Sequence, residues 1–216
     1  MTSGTLSRRR LFGAATYAAS LGGCSLLLPT PAPQLYRLTP KTSDAPKPTR
    51  ASGELVVSTP MASESLDTER IALTRNRITL DYFAGASWTD RAPRMLQSLM
   101  IDAFEDSGRN IAVARDSSDI GADYRLETVL RDFQARYAGT GDSAPIVVVS
   151  VDAQLLRMTD RRVVGHLLAT KEAPAARNNL ASIVEAFDAV VGEVIDQIVG
   201  WTLQSMARVR GSRPSL

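Results

Sequence analysis

Residues 146–158, Ile-Val-Val-Val-Ser-Val-Asp-Ala-Gln-Leu-Leu-Arg-Met, decide the fold of this chain. Every second side chain from Val147 to Leu155 is apolar, which predicts a strand with one buried face. The polar turn at Thr159-Asp160-Arg161 leads the chain back into a second strand over residues 163–170. Residues 124–137 alternate in the same way, with a slip at Arg131-Asp132 that predicts a β-bulge. These segments predict a sheet built largely from antiparallel strands.

Two helices are predicted beside this sheet. The longer covers residues 178–206, where a broad apolar stripe is typical of a helix lying on a sheet, with Asn178 or Asn179 as its N-cap. The shorter runs from about Pro93 to Gly108, with Thr89 or Asp90 as its cap. Other predicted strands are 34–38, 54–58, 111–114 and a hairpin of 70–75 with 77–83. This order predicts a single α+β domain with a largely antiparallel sheet and two helices packed on one face.

The first two dozen residues have the features of an export signal and a lipid attachment site. Arg8 and Arg9 stand before a weakly apolar stretch, which resembles a twin-arginine signal, although general secretion stays open. The apolar stretch is shorter than the ~20 residues that a membrane span needs. Leu21-Gly22-Gly23-Cys24 is similar to a lipobox, so Cys24 is predicted to carry the lipid after the signal peptide is removed. Ser25 follows the cysteine, where aspartate is associated with inner-membrane retention, and this favours the outer membrane.

Four segments are expected. Residues 1–23 are the signal peptide, 24–33 the lipid anchor with a proline-rich tether, 34–206 the folded domain and 207–216 a disordered tail. Removing residues 1–23 leaves 22 basic and 23 acidic residues from the original 25 and 23. The exported protein is therefore nearly neutral, and its charge gives no reason to expect nucleic acid as a partner.

Residues with catalytic potential do not form a recognisable motif. The sequence has no glycine-rich phosphate loop, paired-cysteine metal site, HExxH helix or Gly-x-Ser-x-Gly elbow. Ser87 and His166 are better explained as structural residues, and Asp102, Glu105 and Asp106 as a solvated helix face. We therefore predict no enzyme activity, metal or cofactor.

Tyr82 and Trp88 supply aromatic bulk around the point where a strand meets the shorter helix. Trp88 either packs this corner or lines an apolar groove or partner surface, where tryptophan is enriched. The sequence leaves these two interpretations open.

The chain resembles the ABC-type transport auxiliary lipoproteins, the PqiC-like lipoproteins of MCE lipid-transport systems. The most specific segments are Leu66-Asp67-Thr68-Glu69-Arg70-Ile71 and the strand from Ile78 that leads to Trp88-Thr89-Asp90. Cys24, Tyr36-Arg37-Leu38, Leu55-Val56-Val57, the Leu96/Leu99/Met100 helix and the closing helix follow in the expected order.

This resemblance implies a non-enzymatic accessory subunit on the periplasmic face of the outer membrane. Its implied partners are an MCE-domain periplasmic protein and the ABC permease/ATPase complex, with the membrane reached through the lipid anchor and phospholipid contact left open. The alternative is a structural envelope-assembly lipoprotein without a transport role, and a periplasmic hydrolase has almost no residue support.

Overall fold

The computed structural model describes residues 32–39, 52–76, 78–107, 110–116, 121–138 and 143–211. Arg8, Arg9 and Cys24, with the predicted signal peptide and most of the tether, lie outside these residues. All described elements belong to one compact unit that begins at Pro33. Its strands are β1 Gln34–Tyr36, β2 Ser52–Val57, β3 Met61–Ala62, β4 Arg70–Thr74, β5 Leu80–Trp88, β6 Asn110–Arg115, β7 Tyr124–Arg136, β8 Ile146–Arg157 and β9 Arg162–Pro174. Its helices are α1 Ala92–Glu105 and α2 Leu180–Gly211.

Strand β7 organises the sheet, in which all nine strands of the described residues are joined. One edge of β7 pairs along its whole length with β8, and β8 pairs with β9, both in antiparallel fashion. The other edge of β7 is shared by the short strands β2, β3 and β4, all parallel to it. Strand β6 then pairs with β2, and β5 and β1 follow from β4.

The long antiparallel strands carry the predicted pattern. Val147, Val149, Val151, Ala153 and Leu155 are all at most 2% exposed, so the face predicted for β8 is the core face. The register of β7 against β8 shifts between Leu130 and Asp132, which confirms the predicted bulge. Because the bulge takes up one residue, Phe133 and Ala135 stay on the core side with Leu130.

Both helices cover the core face of this sheet, as predicted. Side chains from α1 and α2 join those of β7 and β8 in one hydrophobic cluster. The buried face of α2 is mainly aliphatic with Phe187 and includes a few small polar residues, and the face of α1 contributes Leu96, Met100 and Phe104. The fold is therefore the α+β arrangement that the sequence indicates.

The N-termini of the two helices differ from each other. Asn179 caps α2, because its side-chain oxygen accepts a hydrogen bond from the Ser182 N–H at 2.9 Å. The predicted caps of α1 are wrong: the capping position is Arg91, and no side chain caps the helix. The Ala92 N–H instead donates to the Thr68 carbonyl at 3.1 Å, and Pro93 has no N–H, so a capping side chain is less needed there.

Several bounds differ from the sequence expectation, among them those of β5, which spans Leu80–Trp88 instead of residues 77–83. Helix α2 continues to Gly211 rather than ending at Met206, since Met206 is buried and Val209 packs on the core. The part of the predicted tail after residue 211 lies outside the described residues. Strand β9 extends to Pro174, beyond the predicted end at residue 170. Strand β3 was not expected, since two residues after Pro60 are too few to show a periodicity.

Candidate functional site

Trp88 lies in the core at the end of β5, where the chain turns into α1. Its side chain is fully buried, and its ring meets Phe133 of β7 edge-on at 5.7 Å and Phe187 of α2 at 5.2 Å between centroids. Phe133 and Phe187 also contact each other at 5.0 Å. Trp88 therefore packs the end of β5 against β7 at the centre of the sheet and against α2. Of the two interpretations, the structure supports packing of this corner and not a place on an open surface.

Tyr82 lies six residues earlier on the same strand and is half-buried. Its hydroxyl donates to the Ser65 carbonyl at 3.0 Å, and the Arg70 guanidinium lies 3.7 Å from the centre of its ring. Both contacts are internal to the domain, so they hold the segment before β4 against β5. Tyr82 and Trp88 are thus not brought together into one site.

A groove of about 510 Å³ runs beside α1, and we call it the α1 groove. Its floor is apolar and comes from Leu38, Met95, Leu99 and Ala103. Its rim is mostly polar, and the charged side chains among the described residues that line it are Arg37, Asp90, Asp102 and Asp106. Three carboxylates against one guanidinium make this rim acidic.

The backbone around the α1 groove is fixed by both helices. The Thr39 N–H donates to Asp188 Oδ1 of α2 at 2.6 Å, which holds the segment after β1 in place. Asp90 Oδ1 accepts a bond from the Arg91 N–H at 2.7 Å at the start of α1. The groove is therefore bounded by ordered structure on these two sides.

The α1 groove was not predicted from the sequence, although the spacing of two aspartates on α1 indicates part of its rim. Asp102 and Asp106 are four residues apart, so they share one face of a helix, whereas Glu105 does not line the groove. Arg37 and Asp90 belong to segments that only tertiary folding brings beside that face. Their positions could not be deduced from spacing.

The sheet face opposite the helices carries cross-strand polar pairs. Asp152 accepts from Arg131 at 3.0 Å and lies 2.6 Å from His166 Nε2. The hydrogen bond from Arg131, supported by that of His166, holds the pKa of the Asp152 carboxyl below its ordinary value against the opposing effect of partial burial. Arg136 and Glu172 form a further pair at 3.1 Å. Charge pairs on this face thus link β8 to both of its neighbours and, through Arg136 and Glu172, reach from β7 across β8 to β9.

Ser87 and His166 are too far apart to act together. Ser87 is on β5 and His166 on β9, and strands β4, β7 and β8 separate them in the sheet. At ~4.8 Å between neighbouring strands, four steps place them roughly 19 Å apart. A nucleophile and its base need a direct hydrogen bond, so this pair forms no hydrolytic site.

The described part of the chain contains no group of three or more His, Cys, Asp or Glu side chains placed to hold a metal ion. None of its helices has the length and apolar character required to cross a membrane.

Comparison with known proteins identifies relatives of the whole domain. A family model described as "ABC-type transport auxiliary lipoprotein component" matches residues 36–199. The crystal structure of protein XCC0632 from Xanthomonas campestris is similar with a TM-score of 0.77 and 32% identity, covering 83% of this chain and 99% of that one. The structure of an uncharacterized protein has a TM-score of 0.57 at 15% identity with the same coverage, which indicates a shared fold alone.

A relative by sequence is the uncharacterized protein bll6063 of Bradyrhizobium diazoefficiens. It is 29% identical over 169 residues, which are 78% of this chain and 44% of the relative. The chain thus spans less than half the length of this curated relative.

Proposed function

The chain belongs to the ABC-type transport auxiliary lipoprotein family, and on this premise we propose that it anchors an MCE-type lipid transport system to the outer membrane. In this role it docks the periplasmic lipid-carrying component and performs no chemistry itself. The observation that carries the proposal is the family match, because residues 36–199 run from β1 into α2 and so cover the sheet and α1.

The membrane side of the proposal depends on Cys24. A diacylglycerol on this thiol, with a further acyl chain such as palmitate on the freed amine, supplies two or more lipid chains. Each buried CH₂ contributes ~0.8 kcal/mol, and two chains suffice for stable anchoring. Residues 25–33 then join the anchor to the domain, which begins at Pro33.

The partner side of the proposal uses the α1 groove. Helix α1 starts where β5 ends and leads to β6, whose first residue pairs with the first residue of β2. Strand β5 begins at its hairpin turn with β4, and α1 follows the other end of β5. Helix α1 therefore lies on the side of β5 that is farther from this hairpin turn. An apolar floor with three carboxylates on the rim fits a partner segment that carries both apolar and basic side chains. We assign that segment to the MCE-domain protein.

Affinity purification of the full-length lipidated protein from membranes tests the proposal. The wild-type protein is expected to retain an MCE-domain protein together with its permease and ATPase. Asp102→Lys and Asp106→Lys reverse the charge on the groove and should lower the recovery of the MCE protein at least about tenfold, which corresponds to ~1.4 kcal/mol. Glu105→Lys is the matched control, because it makes the same change on the same helix outside the groove.

The outcomes separate the parts of the proposal. Recovery of the MCE protein with all three variants would refute the groove as the docking surface and leave the transport role intact. Purification without any MCE partner would refute the transport role and favour structural envelope assembly.

Fractionation of the cell envelope tests the anchor separately. The wild-type protein should band with the outer membrane in a density gradient, and Cys24→Ala should abolish its membrane association. Continued membrane fractionation of Cys24→Ala would contradict lipidation as the means of anchoring.

A further inference from the structure

The chain enters the domain in a defined direction. Strand β1 pairs in parallel with β5, with Gln34 opposite Ala86 and Tyr36 opposite Trp88. Since β5 begins at Leu80, the chain before Gln34 comes from the side of the β4–β5 hairpin turn. We call the end of the sheet that carries this turn the tether end.

Several other segments meet at the tether end. One row of paired residues crosses β4, β7, β8 and β9. In this row Thr74 pairs with Arg136, Arg136 with Ile146, and Ile146 with Pro174. Beyond this row lie the hairpin turn after Thr74 and the connection from β9 to α2. The tether end is therefore a composite surface about 14 Å wide at the row, from three strand spacings of ~4.8 Å.

An isoleucine projects from the hairpin turn at this surface. Ile78 is 92% exposed, the largest exposure among the large apolar side chains of the described residues. Asn76 Oδ1 accepts bonds from the Ile78 N–H at 3.0 Å and the Thr79 N–H at 2.8 Å, which ties the backbone at Ile78 and Thr79 to Asn76. Ile146 of the same end is 38% exposed.

Arginine side chains lie at the same end of the sheet as these apolar residues. Arg75, Arg136 and Arg177 are exposed at the tether end. The Arg75 guanidinium lies 4.8 Å from the Tyr137 ring centre, and Arg136 pairs with Glu172. Asp81 and Glu172 are exposed acids of the same end, and Glu172 is the partner of Arg136. Apolar tips beside arginine are the combination that binds the interface of an anionic bilayer.

The tether length restricts where this surface can lie. Nine residues from Ser25 to Pro33 reach at most ~30 Å at 3.3–3.6 Å each. Gln34 lies beside Ala86, which is six residues along β5 from Leu80 at the tether end. This distance is about 20 Å, so it uses up about 20 Å of the reach of the tether. The turn between β8 and β9 is at the other end of strands 12 and 13 residues long, roughly 40 Å away.

We propose that the tether end rests on the bilayer surface, with Ile78 inserted among the phospholipid headgroups and the arginines facing lipid phosphates. This inference rests on the proposed anchor at Cys24. It makes the domain a two-ended spacer, with lipid contact at the hairpin turn and the α1 groove directed away from it.

Fluorescence on the lipidated full-length protein tests this contact. Because Cys24 is the single cysteine and is lipidated, Ile78→Cys supplies one free thiol for an environment-sensitive nitrobenzoxadiazole label. Val163→Cys is the matched control, since Val163 is a β-branched residue of 54% exposure beside the β8–β9 turn. Both proteins are reconstituted into vesicles of phosphatidylcholine with phosphatidylglycerol that contain a shallow spin-labelled quencher lipid.

The label at position 78 should shift its emission to the blue and be quenched at least about threefold more than the label at position 163, as expected for burial by ~5–10 Å in the interface. Arg75→Glu in the Ile78→Cys background should reduce this quenching and its dependence on phosphatidylglycerol. Equal quenching at both positions, or greater quenching at position 163, overturns the proposal. Flotation of the same samples with the vesicles reports the anchor independently, so loss of flotation identifies a failure of the anchor instead.

Discussion

Truncation of Trp88 tests whether this residue is a core residue. Trp88→Ala removes the largest fully buried side chain and its edge contacts with Phe133 and Phe187. Large aromatic truncations in a core cost ~3–5 kcal/mol, and each lost aromatic pair accounts for ~0.5–1.5 kcal/mol of such a loss. Since a domain of this kind unfolds with ~5–15 kcal/mol, we expect about 4 kcal/mol of destabilisation.

Trp88→Phe gives a second estimate of the same contacts in a variant that still folds. The indole Nε1 of Trp88 is buried without a hydrogen-bond partner among the described residues, and such a group costs ~1–3 kcal/mol. Phenylalanine keeps one aromatic ring and removes the unpaired donor, so its two effects partly cancel. We expect a destabilisation of about 1 kcal/mol, clearly smaller than that of Trp88→Ala.

Urea unfolding followed by far-UV circular dichroism measures both changes, because this signal does not depend on the substituted fluorophore. Val163→Ala is the control at an exposed site and should change the free energy of unfolding by less than ~0.5 kcal/mol. A Trp88→Ala protein within about 1 kcal/mol of the wild type that fails to bind its partner would refute the core assignment. That result would favour the partner-surface interpretation instead.

Three further changes test local features. Asn179→Ala removes the cap from α2 and should destabilise the domain by ~1 kcal/mol in the same urea assay, whereas no change would mean that other groups satisfy this helix end. Gly165→Ala places a Cβ 2.9 Å from Trp201 Cζ2, so we expect ~1–3 kcal/mol of destabilisation, and an unchanged midpoint would show that the indole moves aside. The hydrogen bond of Arg131 holds the pKa of the Asp152 carboxyl in the folded protein below 3.8. The contribution of the ionised carboxylate to the stability of the fold is therefore complete above its pKa in the unfolded chain, and it is lost as the pH falls through its pKa in the folded protein. The gap in melting temperature between wild type and Asp152→Asn should therefore stay constant above about pH 5 and shrink as the pH falls from about 5 to about 2, and a gap that stays constant down to about pH 2 would contradict the charge pairing.

Most strands of the domain could be predicted because their periodicity is local. The core face of β8 and the bulge at Arg131-Asp132 follow from alternation within one segment, and both are present in the structure. Prediction failed where the decisive group is remote in sequence. The α1 N-terminus needs no capping side chain because the Thr68 carbonyl accepts its first N–H, and no pattern around Thr89 or Asp90 contains that information.

The sequence by itself determined the α+β class, the family and the predicted anchor at Cys24, because periodicity and short motifs are properties of neighbouring residues. Tertiary structure alone decided the rest. It put Trp88 between Phe133 and Phe187, gathered Arg37 and Asp90 beside Asp102 in the α1 groove, and separated Ser87 from His166. The physical reason is that parallel pairing of β1 with β5 and of β2, β3 and β4 with β7 joins segments far apart in the chain, and no local pattern encodes which edge each strand takes.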